Sequence, residues 1–240
     1  MNRSLETFQN ALKTRGLPPS EAYCRLVVTR GSGRIGFSRS AVQTPTFWCT
    51  ITQKVATPGP EDFERGLKLA LVERERNSPR ALTPEAKSGN YLNSVLAFLE
   101  AENFHAADDA IFCDSEGFLT EGTTFNLFYV RRGKVATPPV EVGILRGITR
   151  NHVLRLAKKE GLDTREVRFT PEHLLEADEV FVTSSIREVL PVSRVYLPKM
   201  FQTVSLREGW HPIQKGRPGP VTRRLARLFR EAIPEWLGEN

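Results

Sequence analysis

No stretch of this 240-residue chain approaches the roughly 18 to 20 consecutive apolar residues that a membrane span requires, so no transmembrane helix is expected. Residues 1–16 carry charged side chains where a secretory leader has its apolar segment, and a cytoplasmic protein with no membrane partner is the reading that follows. Cysteine is scarce. Cys24, Cys49 and Cys113 are too widely spaced for a zinc knuckle and odd in number, which argues against a metal site and a disulfide framework and leaves buried free thiols. Internal repeats and low-complexity tracts are also missing. The net charge of +6 is not gathered into a patch, because acids interleave with bases everywhere except residues 217–230. That run offers Phe229 alone as a stacking platform, and it aligns Val221, Leu225, Leu228 and Phe229 on one helical stripe. A helix docked on the protein is expected there, and no nucleic-acid partner.

What is present suits a buried core: 40% of the residues are hydrophobic, enough for one large domain or two modest ones. Leu5, Phe8 and Leu12 recur at helical spacing before Gly16, and residues 23–29 and 47–53 read as strands around a loop containing Gly31 and Gly33. Pro58, Gly59 and Pro60 then break all periodicity. The expected organisation is residues 1–55 as the remainder of a small α+β domain, 56–64 as a linker, and 65–240 as a larger domain. Within the latter, residues 67–72 alternate, helices are expected at about 90–101 and 149–160, the second ended by Gly161, and strands at 110–114, 118–120, 126–130 and 179–183.

Four stations in the second region carry chemistry. Lys87 lies just before a helix whose apolar face is Leu92, Val95, Leu96 and Leu99; alone, it is one of 34 Lys and Arg, and an exposed lysine is the commoner meaning. Glu121 falls between two strand-like runs, either as a turn carboxylate in solvent or as the partner of a cationic ring nitrogen in a cleft. Residues 143–150 feed a helix, and residues 183–190 place small hydroxyl residues after a strand. Both suit an anion cradle, with simple capping by Thr149 or Ser185 as the everyday alternative.

The order of these stations is far more specific than any one of them. Lys87 followed by Asn90-Tyr91-Leu92, then Glu121-Gly122 with Asn126-Leu127-Phe128, then Gly147-Ile148-Thr149-Arg150, resembles the class IV, fold-type IV aminotransferases of the branched-chain type. The likeness runs from about Leu5 to Arg230. It implies an α/β (α+β) chain with a small N-terminal domain, a larger C-terminal pseudo-β-barrel, pyridoxal 5'-phosphate as cofactor and a homodimer. The resemblance further implies that Lys87 carries the cofactor and moves the substrate's α-proton, that Glu121 keeps the ring nitrogen protonated, and that Tyr91 stands near the phenolic oxygen. Ile148, Thr149, Ser185 and Ile186 match the family's phosphate-binding positions, and Tyr23 with Arg25 matches the pair that receives the side-chain carboxylate of glutamate or 2-oxoglutarate. The implied reaction moves the amine of a branched-chain L-amino acid to 2-oxoglutarate.

The pattern also departs from the family. Relatives carry a further stretch, about half a small domain, before the helix that opens this chain, so the chain is expected to be short at its start and to lack an arginine for the cofactor phosphate. Residues 183–188 read Thr-Ser-Ser-Ile-Arg-Glu where many branched-chain enzymes show Gly-Thr-Ala-Ala-Glu, and residues 196–212 form a longer connection than usual, expected as a surface insertion. A 4-amino-4-deoxychorismate lyase, a D-amino-acid aminotransferase and a non-catalytic dimer-forming relative stand as alternatives. Glu188-Val189-Leu190-Pro191-Val192 favours the aminotransferases over the lyase.

Overall fold

The computed structural model describes residues 10, 13, 14, 16, 22–41, 44–53, 57–203, 206–213 and 216–237. It divides into two compact units, Met1–Thr57 and Pro58–Asn240. The helix expected around Leu5, Phe8 and Leu12 falls on positions outside the described residues; Asn10, Lys13 and Thr14 are helical, and Gly16 follows with φ 63°.

In the first unit β1 (Ala22–Thr29) and β2 (Thr46–Gln53) pair antiparallel, from Ala22 opposite Gln53 to Thr29 opposite Thr46. Tyr23 and Arg25, two apart, share one face of β1. Cys24 and Cys49 are diagonal neighbours across the ladder, with their sulfurs 3.0 Å apart. They are half-buried, which corrects the expectation that all three thiols are buried; only Cys113 is. Partial burial and the contact with Cys49 push the Cys24 thiol up to about 11, so it stays protonated at neutral pH.

The second unit opens with α1 (Pro60–Arg65), in the stretch expected as linker: Pro60 is at the start, where its missing N–H costs nothing, and the Gly59 N–H donates to Asp62 Oδ2 at 2.9 Å. The strands that follow are β3 (Leu67–Leu71), β4 (Asp109–Cys113), β5 (Leu119–Gly122), β6 (Asn126–Arg131), β7 (Lys134–Thr137), β8 (Thr164–Glu166), β9 (Glu179–Ser184), β10 (Glu188–Leu197) and β11 (Gly209–Pro212). Six of them close on themselves: β10, β3, β4, β5, β6, β9 and back to β10. β3 runs parallel to β10 and β4; every other pair in the ring is antiparallel. Closure removes the sheet edges that an open sheet leaves unpaired.

Alternation along the strands sorts the core into an inside and an outside. Leu67, Leu69 and Leu71 of β3, Ile111 and Cys113 of β4, Leu127 of β6, and Val180 and Val182 of β9 fill the barrel, each apolar side chain worth about 1.5 to 3 kcal/mol when fully buried. Phe128 and Val130 of β6 and Phe181 of β9 point outward, and the rings of Phe128 and Phe181 stack at 4.8 Å from opposite positions on the ladder. This outer face is covered by α3 (Ile148–Lys159) and α5 (Pro220–Glu231). α5 buries Thr222, Leu225, Ala226 and Phe229, with Val221 and Leu228 half-buried, the docked helix expected from the spacing. α4 (Pro171–Leu175) and α6 (Ile233–Leu237) are short.

α2 (Leu92–His105) packs the other way round from expectation. It buries Ser94, Ala97 and Ala101 against Ala70, Ala110 and Phe112, while Leu92, Val95, Leu96 and Leu99 stand at the surface. Close approach of a helix to a sheet at Ala70 and Ala110 admits only small side chains, so the larger apolar stripe is turned out. The connection at 196–212 is likewise more than a surface insertion: β11 pairs with β10, and Leu206 and Ile213 belong to the barrel core. Among the described residues, no helix is long and apolar enough to cross a membrane.

Candidate active site

One end of the barrel opens into a cavity of about 390 Å³ lined from four directions: the loop from Arg76 to Tyr91, the β5–β6 turn, the start of α3, and the β9–β10 turn. That volume is in the range of small-molecule and cofactor sites. Lys87, Tyr91, Glu121, Ile148, Thr149 and Ser185, scattered over about 100 positions, all line it. Ile186 is half-buried beside Ser185 in the same turn but is not a lining residue, and Tyr23 and Arg25 belong to the first unit, on β1.

Glu121 reaches the cavity because β5 is irregular. Ile111 of β4 pairs with Gly122 and Cys113 pairs with Leu119, so Thr120 and Glu121 together oppose Phe112 alone. This bulge breaks the alternation and swings Glu121 to the outer face, beside Asn126 of β6 and Thr183 of β9, its neighbours in register. Glu121 is therefore a strand residue, 4% exposed, and not a turn carboxylate in solvent. Its Oε1 accepts from Arg76 Nη2 at 2.8 Å, and its Oε2 from the Leu145 N–H at 3.0 Å and Asn126 Nδ2 at 3.3 Å. Arg76 is itself placed over the Phe112 ring and donates from Nη1 to Asn93 Oδ1 at 3.3 Å.

Burial pushes the Glu121 carboxyl up to about 7 from an ordinary 4.5, against the pull of Arg76, the Leu145 amide and the charge of Lys87. A raised folded-state value means that the folded chain holds this proton more tightly than the unfolded chain does. The stability that goes with it is complete below about pH 4.5 and is lost as pH rises through 7, about 3 kcal/mol in all. The cofactor-free E121Q variant is accordingly expected to lose less stability than the wild type between pH 4.5 and 8 in denaturant titrations. Parallel curves for the two proteins contradict this account.

Lys87 is exposed at the cavity rim, in the turns that lead to α2, where the Ala86 N–H donates to Thr83 O at 3.0 Å and the Tyr91 N–H to Gly89 O at 3.0 Å. Its charge is near enough to Glu121 to lower that carboxyl. At the opposite wall, α3 starts at Gly147, which caps the helix without any side-chain hydrogen bond; Thr149 lies inside the first turn, buried, so the capping role considered for it does not hold. A Cβ at Gly147 would fall 2.1 Å from Asn126 Oδ1, and glycine is what lets the helix start come this close to β6. The first-turn amides are thus left without a capping side chain, in the arrangement that receives anions. Arg150, 1% exposed, fixes the helix by donating to Pro138 O at 2.8 Å and pairing with Glu166 at 2.6 Å.

Sequence reasoning missed Arg76, Asn126 and Thr183. Asn126 was visible within a motif, and Thr183 opens the hydroxyl run, but nothing in the spacing marks Arg76 as the partner of Glu121. The Thr183 Oγ1 is buried at the cavity wall without a hydrogen-bond partner among the described residues.

The sequence profile of the family described as amino-transferase class IV matches residues 4–195. A Methanocaldococcus jannaschii protein, provisionally named a branched-chain-amino-acid aminotransferase, is 37% identical over 217 residues, 90% of this chain and 69% of that protein. The branched-chain-amino-acid aminotransferase of Escherichia coli K12 is 32% identical over 231 residues, 94% of this chain and 68% of that one. Among solved structures, a bacterial branched-chain amino acid aminotransferase with pyridoxamine 5'-phosphate superposes with a TM-score of 0.81 at 33% identity, covering 95% of this chain and 70% of that one. The same solved enzyme complexed with N-(5'-phosphopyridoxyl)-L-glutamate gives a TM-score of 0.79 at 32% identity, with the same coverage.

Proposed function

The chain belongs to the class IV aminotransferases, pyridoxal-phosphate enzymes of fold type IV, and from that membership we propose that it transfers the amino group of branched-chain L-amino acids to 2-oxoglutarate. The observation that carries the reading is the cavity, where an amine at Lys87, a buried acid at Glu121 and an uncapped helix start at Gly147 surround one space. These groups fit pyridoxal phosphate: a cationic ring nitrogen suits Glu121, a phosphate suits the α3 amides and Ser185, and the unpartnered Thr183 hydroxyl is a further polar atom awaiting a ligand.

Bound pyridoxal phosphate supplies an electron sink for the pair left at the substrate's α-carbon when its proton departs. Lys87 Nζ would hold the cofactor and, once displaced by the substrate's amine, take the α-proton and return one as general base and acid. Glu121 would keep the ring nitrogen protonated, and a cation opposite it offsets the burial that otherwise raises its pKa. Tyr91 would meet the phenolic oxygen. Ile148, Thr149, Ser185 and Ile186 would take the phosphate through backbone amides and hydroxyls.

The choice of 2-oxoglutarate as acceptor rests on Tyr23 and Arg25, which share a face of β1, and is in keeping with the glutamate conjugate bound by the solved relative. Removing a charged hydrogen bond of this kind costs about 1.5 to 3 kcal/mol. R25M is therefore expected to raise KM for 2-oxoglutarate about 10- to 150-fold with little change in KM for leucine. An unchanged KM for 2-oxoglutarate removes Arg25 from this role. Pyruvate released from aminodeoxychorismate without an amino acceptor would identify a lyase instead.

A homodimer is part of the same proposal. Leu92, 70% exposed, together with Val95, Leu96 and Leu99, makes one apolar stripe along α2, and such stripes on soluble proteins mark association surfaces. Sedimentation equilibrium is expected to give twice the chain mass of 27.1 kDa, and L96E/L99E to shift it toward the single chain. A monomeric wild type contradicts the assignment.

A further inference from the structure

Behind the cavity lies a buried ion pair that the chemistry above does not use. Arg187 ends the turn between β9 and β10 and is not a lining residue. Its Nη2 lies 2.6 Å from Asp109 Oδ2, its guanidinium sits 5.0 Å from the centre of the Phe125 ring, and its backbone N–H donates to Ser184 Oγ at 3.1 Å. Asp109, at the start of β4, is 2% exposed; its Oδ1 accepts from Thr123 Oγ1 at 2.6 Å and from the Ala110 N–H at 2.8 Å. Thr123, Phe125 and Ser184 all line the cavity, so one pair reaches the back of the β5–β6 turn and the back of the β9–β10 turn at once.

Stability alone is a poor reason for this arrangement. Arg187 Nη1 is buried without a partner, and a buried ion pair with an unsatisfied donor is generally no better than apolar side chains of the same volume. What the pair provides and an apolar contact does not is direction, because a guanidinium bonded to a carboxylate fixes both distance and angle. Arg187 also stands where branched-chain relatives show a small residue, so the contact is a property of this chain's own turn.

We propose that Arg187 and Asp109 form a positioning pair that holds the Ser184–Ser185 turn in the orientation that receives the cofactor's phosphate. The inference rests on the cofactor reading of the cavity. Neither residue touches the ligand; they act through Ser184, Ser185, Thr123 and Phe125.

The test compares wild type, R187M and the double variant D109N/R187M by hydrogen exchange without ligand and by equilibrium binding of pyridoxal phosphate. R187M alone leaves Asp109 buried and unpaired and is expected to be destabilised; D109N/R187M removes that charge and recovers much of the thermal stability. In the folded double variant, amides of residues 184–187 are expected to exchange at least about tenfold faster, with 180–182 unchanged, and the cofactor to bind at least about tenfold more weakly. Wild-type exchange at 184–187, or wild-type affinity, in the double variant overturns the proposal and leaves the pair a structural one. Faster exchange in a protein whose wild type takes no pyridoxal phosphate supports the clamp on the turn and overturns the cofactor reading instead.

Discussion

Replacing Lys87 by alanine is expected to lower transamination by at least about 10,000-fold, and to end the retention of cofactor mass on the chain after borohydride reduction. The two effects have one source. Lys87 is the amine at the rim of the cavity that faces the buried acid, and both the covalent hold on the cofactor and the transfer of the α-proton are assigned to it. Since its side chain is exposed, its removal empties no core space, and K87A is expected to unfold at nearly the wild-type temperature. A K87A protein that still fixes pyridoxal phosphate on reduction would sink the assignment.

Glu121→Gln is expected to lower kcat by about 100- to 1,000-fold while leaving KM for leucine close to wild type. The amide keeps the shape of the carboxylate and the acceptor for Arg76 or Leu145, but it carries no charge with which to hold a ring nitrogen protonated. The step that needs an electron sink suffers, and substrate binding does not. A larger, apolar change such as E121L is a worse probe, because it strands Arg76 without its buried partner and costs about 3 to 5 kcal/mol of stability. An E121Q enzyme with wild-type kcat means that the acid serves the fold, through Arg76 and Asn126, and not the chemistry.

The parts of this fold that obey simple periodicity were legible in the sequence. β3 and β6 alternate cleanly between barrel interior and helix-covered exterior, and α5 shows its buried stripe at Leu225 and Phe229. The site was legible as a set of residue types, and Lys87, Glu121 and Thr149 do share a cavity. Why they share it was not. The bulge that turns Glu121 outward is a register shift between β4 and β5, a property of the pairing of two strands that no spacing within β5 reveals. Its partner Arg76 comes from a loop 45 residues earlier.

The orientation of α2 was hidden for a related reason. Its larger apolar stripe at Leu92, Leu96 and Leu99 is the natural choice for a core face, and only the alanines of β3 and β4 opposite it decide that the face with Ala97 and Ala101 goes inward. β11 was hidden because four residues after an irregular connection give no alternation to read; pairing with β10 is what makes them a strand. In each case the deciding information lies in a partner distant in sequence.

The visible absorption spectrum of the purified chain with pyridoxal phosphate, before and after L-leucine, tests the central claim most directly. The account predicts a protein-bound cofactor band that leucine converts to that of the pyridoxamine form, restored by 2-oxoglutarate. A chain that binds no cofactor, or a band that leucine leaves unchanged, contradicts it.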